Sequence, residues 1–189
     1  MEQRMEPEME RTRMLVMTGL FAALGCAATM VLQVPSLTGG YLNLGDAVVL
    51  LGAYLLGPVF GAAAGGVGPA LADLLSGYTA YVPGTLVIKG AMALLAAVLY
   101  RAVGKRAGGV VLCAVAAEAV MVAGYWLFDG LLAWFGDAGG WGMCLMAGAA
   151  GIPGNLAQGA FGAAASTCLA LSLRKSRFVC DCFPRLRST

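Results

Sequence analysis

Long apolar stretches interrupted by single charges and by glycine and proline dominate the chain. No Asp, Glu, Lys or Arg occurs from Met14 to Gly45 or from Ala138 to Leu173, and each stretch exceeds the roughly 20 residues a helix needs to cross hydrocarbon. A third uncharged stretch runs from Ala47 to Ala72, and shorter ones cover 74 to 88, 90 to 100 and 107 to 117. Within the third, Gly57-Pro58 supplies a helix stop followed by a fresh N-terminal turn. The pattern predicts helices over 14 to 34, 46 to 56, 58 to 75, 83 to 103, 108 to 135 and 144 to 173. The second is too short to face lipid alone, so it requires tilt and shielding by protein. Gly108-Gly109 and Gly139-Gly140 punctuate the turns.

Composition turns these helices into membrane spans. Hydrophobic residues make up 60% of the chain and charged residues 12%, against about a quarter charged in a soluble domain. The mean hydropathy is +0.81. A soluble domain of 189 residues cannot hide so much apolar length from water. The fold class is therefore an all-α integral membrane protein.

Charge sets the expected topology. The basic residues fall into three clusters, Arg4, Arg11 and Arg13; Arg101, Lys105 and Arg106; and Arg174, Lys175 and Arg177 with Arg185 and Arg187, leaving Lys89 alone. Positive flanks mark the cytoplasmic side, so an even number of spans separates successive clusters. Six transmembrane helices then place both termini in the cytoplasm, with loops 35 to 45, 76 to 82 and 136 to 143 outside. The chain divides into a cytoplasmic segment 1 to 13, a membrane domain 14 to 173 and a basic tail 174 to 189. The first segment is mixed in charge and the apolar run after it outlasts a signal core, so a cleavable secretory signal is not expected.

Small residues are expected to hold the helices together: Gly61, Gly65 and Gly68 on the third, Gly159 and Ala163 on the sixth. Gly19, Ala23 and Ala27 repeat every four residues along one face of the first. That stripe is either an internal seam or a face for a partner.

An ionisable group inside a membrane is a functional candidate by default. Asp46, Asp73 and Lys89 map toward the outer half, beside Tyr41, Asn43, Tyr78 and Tyr81. Asp46 caps a helix or joins a site; Lys89 braces Asp73 or Asp46, or meets a ligand carbonyl or carboxylate. Asp129 falls near water at the outer end of the fifth helix, and Glu118 lies mid-span, pairing inward or touching ligand. Asn155 and Gln158 are three apart on the sixth helix, and their amides suit the alternating donor and acceptor edge of a heterocycle. Tyr125, Trp126, Trp134, Phe135 and Trp141 form an interfacial belt, from which one or two rings could stack on a flat ligand. Stacking surface and convergent hydrogen bonds together define a small-molecule pocket.

Other chemistry finds little support. There is no GxxxxGK[ST] phosphate loop, no histidine and no recognisable pairing of nucleophile with base, so no catalytic residue is assigned. The basic residues fit membrane orientation before nucleic acid. Cys26, Cys113, Cys144 and Cys168 lie in apolar segments as small hydrophobes; Cys180 and Cys182 offer too few ligands for zinc, leaving an unspecialised tail. No metal or cofactor is expected. An independent ion-coupled carrier or a small membrane enzyme using Asp73, Lys89 and Glu118 is the alternative reading.

The stretches "YLNLGDAVVLLGAYLLGP", "GPALADLLSGY" and "TLVIKG" resemble the riboflavin-type group of substrate-binding (S) subunits of prokaryotic energy-coupling-factor vitamin transporters. The resemblance covers about residues 14 to 173. It implies a six-helix, multi-pass subunit of the prokaryotic cell membrane that captures a vitamin or precursor near the outer surface. It also implies assembly with a transmembrane coupling subunit and two cytoplasmic ATPases, which would supply the missing phosphate loop. Small residues on the first helix, here Gly19, Ala23 and Ala27, would dock the coupling subunit. The loop at Pro35 to Gly45 would be a lid, over pocket residues Asn43, Asp73, Lys89, Asn155 and Gln158. Flavins, pyrimidines and pyridoxine-like rings could all use these donors and acceptors.

Overall fold

The computed structural model describes residues 7 to 36, 38, 39, 41 to 104, 106 to 136 and 139 to 186. Arg4, Lys105 and Arg187 of the three basic clusters lie outside the described residues. Among the described residues, seven helices build the body: α1 (Pro7–Val31), α2 (Gly45–Leu56), α3 (Pro58–Leu75), α4 (Val82–Val103), α5 (Ala107–Phe135), α6 (Trp141–Ala149) and α7 (Ile152–Leu173). Two short strands, β1 (Val34–Pro35) and β2 (Tyr41–Leu42), pair antiparallel between α1 and α2. A short helix, α8 (Arg177–Cys182), and a 3-10 turn (Pro184–Leu186) follow α7.

Among the described residues, five helices, counting α1 from Glu8, are long and apolar enough to cross a membrane: α1, α3, α4, α5 and α7. The sixth element, α2, has 12 residues, about 18 Å of helix. Every residue of it except Val48 is buried, because α1, α3, α4 and α7 all pack around it. Its short length is thus covered by protein, which is what backbone in a membrane requires of a helix too short to span. The break after α2 falls at Gly57, whose φ of 83° favours glycine, and Pro58 opens α3 without needing a donor for its missing N–H.

Glycine brings the helices close. A Cβ on Gly68 would strike the Ala22 carbonyl oxygen of α1, and one on Gly61 would lie 2.7 Å from the Ala53 Cα of α2. By contrast Gly19, Ala23 and Ala27 are exposed, and nothing lies within 4 Å of a Cβ built on Gly19. The stripe on α1 is an outward face, not an internal seam.

The structure departs from the sequence expectation in three places. The helix expected over 144 to 173 is two helices, α6 and α7, separated at Ala150-Gly151. Pro153 lies in the first turn of α7, where its ring cannot donate back to Ala149, so the chain restarts instead of continuing. The tail is not an unspecialised extension: Leu186 is fully buried and Cys180 is buried. Arg185 donates to the Leu56 carbonyl at the end of α2, and Arg13 on α1 donates to the Cys182 carbonyl. The first helix also begins at Pro7, so the boundary expected at residue 13 falls inside it.

These contacts gather the described arginines at one end of the bundle. Arg174 donates to the Tyr100 hydroxyl (2.7 Å) and to the Gly104 carbonyl in the turn between α4 and α5. The β1–β2 hairpin lies at the opposite end, where α2 begins and α3 finishes.

Replacing Gly68 with Val should force α1 away from α3 and cost about 1–3 kcal/mol, the usual range for overpacking. Thermal unfolding of the detergent-purified protein would show it as a lowered midpoint; an unchanged midpoint would remove the close α1–α3 approach as a constraint on the fold.

Candidate functional site

The helix ends beneath the hairpin bring together most of the polar residues that the chain keeps in its apolar half. Tyr81, Thr85 and Lys89 follow one another at intervals of four around the start of α4, one face of a helix. Tyr125 and Asp129 do the same on α5, and Asn155 and Gln158 stand one turn apart on α7.

At the base of this cluster is a buried ion pair. Lys89 Nζ on α4 donates to Asp46 Oδ1 on α2, with both side chains 1% exposed. Asp46 Oδ2 accepts from Gln158 Nε2 at 2.7 Å, so α2, α4 and α7 meet at one carboxylate. Lys89 also lies 5.5 Å from the centroid of the Tyr125 ring, a cation–π distance. Gln158 uses its other end to accept the Asn43 N–H at 2.8 Å, and Asn43 Oδ1 in turn accepts the Gly45 N–H at 2.9 Å. The ion pair therefore anchors the foot of the hairpin.

Three further bonds fasten the hairpin from the side. Tyr41 donates to Asp73 Oδ1 (2.7 Å), Tyr81 donates to the Thr38 carbonyl (3.0 Å) and Gln33 Nε2 donates to Ser76 Oγ (2.8 Å). Tyr81 also lies 2.9 Å from Asp129 Oδ1. Burial first, and the Asp73 carboxylate second, raise the Tyr41 phenol above its ordinary range, so it stays protonated as a donor. Burial and Asp129 do the same for Tyr81. Tyr78 packs against Tyr41 with ring centroids 4.5 Å apart and the rings tilted by 51°.

Under the hairpin lies a recess with a volume of about 30 Å³, room for a water or two. Its walls carry Asn43, Asp73, Tyr81, Tyr125, Asn155 and Gln158, six of the residues singled out in the sequence. Asp46 and Lys89 lie directly behind Gln158 instead of on the wall, and Tyr78 backs Tyr41. Glu118 lies elsewhere: it lines a separate crevice between α5 and α7 with Val115, Leu156 and Gly159. A Cβ on Gly162 would meet both Glu118 Oε1 and the Asp46 Cβ, so the two carboxylates flank the same glycine. Among the described residues, no group of three or more Cys, Asp or Glu side chains could hold a metal ion.

Sequence reasoning passed over Thr29, Ser36, Thr38 and Thr85, and assigned Asp129 to solvent, although all five line the recess. Threonines in an apolar helix give no signal by type. The interval of four from Tyr81 and from Lys89 does single out Thr85, as the interval from Tyr125 does Asp129.

The described residues thus form a bundle with five helices long and apolar enough to span a membrane and a polar recess beneath a hairpin at one end. Residues 9 to 175 match the family described as ECF-type riboflavin transporter, S component; the chain belongs to that family. A solved structure, reported as "Structure and mechanism of the S component of a bacterial ECF transporter", superposes with a TM-score of 0.64 at 19% identity, covering 87% of this chain and 97% of that one. That likeness is one of fold. A Pyrococcus woesei protein described as an "Uncharacterized protein in gap 3'region" is 51% identical over 63 residues, 33% of this chain and 42% of the relative's length.

Removing one partner of the ion pair strands the other in a dry interior, which costs about 3–5 kcal/mol, whereas replacing both by apolar groups is often neutral. Asp46→Ala should therefore lower the unfolding midpoint sharply, and Asp46→Leu with Lys89→Met should recover most of the loss. Equal destabilisation in the single and double variants would contradict the pairing.

Proposed function

We propose that this chain is the substrate-capture subunit of an ATP-driven energy-coupling-factor importer for a small heterocyclic vitamin or precursor, riboflavin-like, pyrimidine or pyridoxine-like. It sits in a prokaryotic cell membrane, with the recess facing outward and the arginine-rich end and both termini in the cytoplasm. The observation that carries this reading is the hairpin closed over a polar recess, in a chain of the S-component family.

A recess of about 30 Å³ is far below the roughly 300 Å³ that a small-molecule site occupies. Capture therefore begins with the hairpin swinging away. It is fastened by side-chain hydrogen bonds, contributing on the order of 1 kcal/mol net each between neutral groups and about 1.5–3 kcal/mol where the acceptor is a carboxylate, so opening costs a few such bonds while the ion pair below stays intact. A heterocycle then enters among Tyr41, Tyr81 and Tyr125, whose rings supply stacking surface. Asn155 lines the recess; its backbone N–H donates to the Gly151 carbonyl, while its side-chain amide makes no hydrogen bond among the described residues and is left for the ring edge. Reclosure buries the ligand, and no covalent step is involved.

Release requires work that the chain cannot do itself, since it has no phosphate loop. A transmembrane coupling subunit and two cytoplasmic ATPases would supply it. The exposed small-residue face of α1 at Gly19, Ala23 and Ala27 is where a coupling helix would dock, because small side chains allow close backbone approach in lipid. Reorientation of the whole bundle would then present the recess to the cytoplasm.

Uptake of riboflavin, pyridoxine or a pyrimidine into sealed vesicles should require the coupling and ATPase subunits together with this chain. Accumulation by the chain alone at an equal rate would replace the reading with an independent carrier. Ala23→Leu and Ala27→Leu should abolish copurification with the coupling subunit and leave ligand affinity within about twofold. Asn155→Ala should do the reverse, weakening binding by about tenfold, the loss of one good hydrogen bond. Unchanged copurification, or unchanged affinity, would remove the respective residue from its role.

A further inference from the structure

The electrostatics of the recess narrow the choice of ligand, on the reading of this chain as a capture subunit. Two carboxylates, Asp73 on α3 and Asp129 on α5, line it, and both are buried, at 4% and 6% exposure. Among the described residues no lysine or arginine lines the recess. The nearest cation, Lys89, is already committed to Asp46, so that pair adds no net charge. Among the described residues the hydrogen bonds to these carboxylates come from neutral groups: Tyr41 on Asp73 Oδ1, and Tyr81, whose one hydroxyl hydrogen is shared between Asp129 Oδ1 and the Thr38 carbonyl.

Two of the lining residues carry an unfinished polar atom. Asp73 Oδ2 and Thr29 Oγ1 are buried without a hydrogen-bond partner, in side chains only 4% and 1% exposed. An orphaned acceptor in so dry a place costs free energy until something donates to it. A recess walled by acids, phenol rings and a missing donor is complementary to a ligand that brings hydrogen, and it repels one that brings negative charge.

We propose that the recess sorts ligands by charge. It takes an uncharged or cationic heterocycle that donates a hydrogen bond to Asp73 Oδ2, and it refuses the phosphate ester or carboxylate form of the same ring. Asp73 and Asp129 are then specificity determinants, Asp73 by accepting from the ligand and Asp129 by setting the sign of the field beside the hairpin. Lys89, the residue that would suit an anionic ligand, is withheld from the recess by Asp46.

The test is equilibrium binding by the purified full chain of three matched pairs: riboflavin and its 5′-phosphate, pyridoxine and its 5′-phosphate, and hydroxymethylpyrimidine and its phosphate. The parent that binds should do so about 100-fold more tightly than its ester, the scale of a like-charge juxtaposition in an enclosed site. Asp73→Asn and Asp129→Asn should each shrink that ratio by about tenfold or more, Asp73→Asn also weakening the parent. An ester bound as tightly as its parent by the unaltered chain overturns the inference, a readout that does not depend on any variant folding. A ratio unmoved in both variants, with their unfolding midpoints preserved, overturns the assignment to these acids. Binding of none of the pairs overturns the vitamin-capture reading and this inference with it, whereas a bound parent with an equally bound ester overturns the inference alone.

Discussion

One carboxylate holds the architecture together. Asp46 opens a helix that lies inside the bundle, and its two oxygens are taken by Lys89 from α4 and Gln158 from α7. Charges so far from water are tolerated only when paired and fully hydrogen-bonded. Satisfying Asp46 therefore fixes the relative positions of three helices at the level where the recess begins. The second end of Gln158 extends the same constraint to Asn43, and from there to the hairpin. The ion pair and the hairpin over the recess are joined through a single side chain, Gln158.

The opposite end is built by different means. There, arginines donate to carbonyls left open at helix termini and turns: Arg185 to Leu56, Arg174 to Gly104 and Arg13 to Cys182. The last residues of a helix leave their carbonyls without intrahelical partners, and basic side chains satisfy them well. The hairpin end rests on tyrosines and amides that donate to carboxylates and backbone carbonyls, and the opposite end on arginines that donate to backbone carbonyls.

Much of the fold was legible because lipid leaves few choices. Uncharged stretches longer than a span, the Gly57-Pro58 break and the positions of the arginines were enough to divide the helices up to residue 135. The division of the last one escaped, since Ala150, Gly151 and Pro153 lie in an unbroken apolar run and composition alone does not distinguish a kink from a restart. The tail escaped as well: Leu186 and Cys180 are buried through contacts with distant helices, and such contacts leave no periodic trace in a short segment.

For the site, charge rarity picked out Asp46, Asp73 and Lys89, but it did not say which acid the lysine would meet. That depends on helix rotation, which packing decides. Glu118 shows the limit of the same rule: an ionisable residue at mid-span sits near the cluster yet faces a different crevice. Thr29 and Thr38 were invisible because a threonine serves equally well in a helix wall and in a recess. The most direct check on the whole account is a structure of the full chain loaded with the vitamin it retains. The account predicts ligand beneath the hairpin against Asp73, Tyr125 and Asn155, with Lys89 still bonded to Asp46. Lys89 turned away from Asp46 onto the ligand, or ligand seated outside this recess, would contradict it.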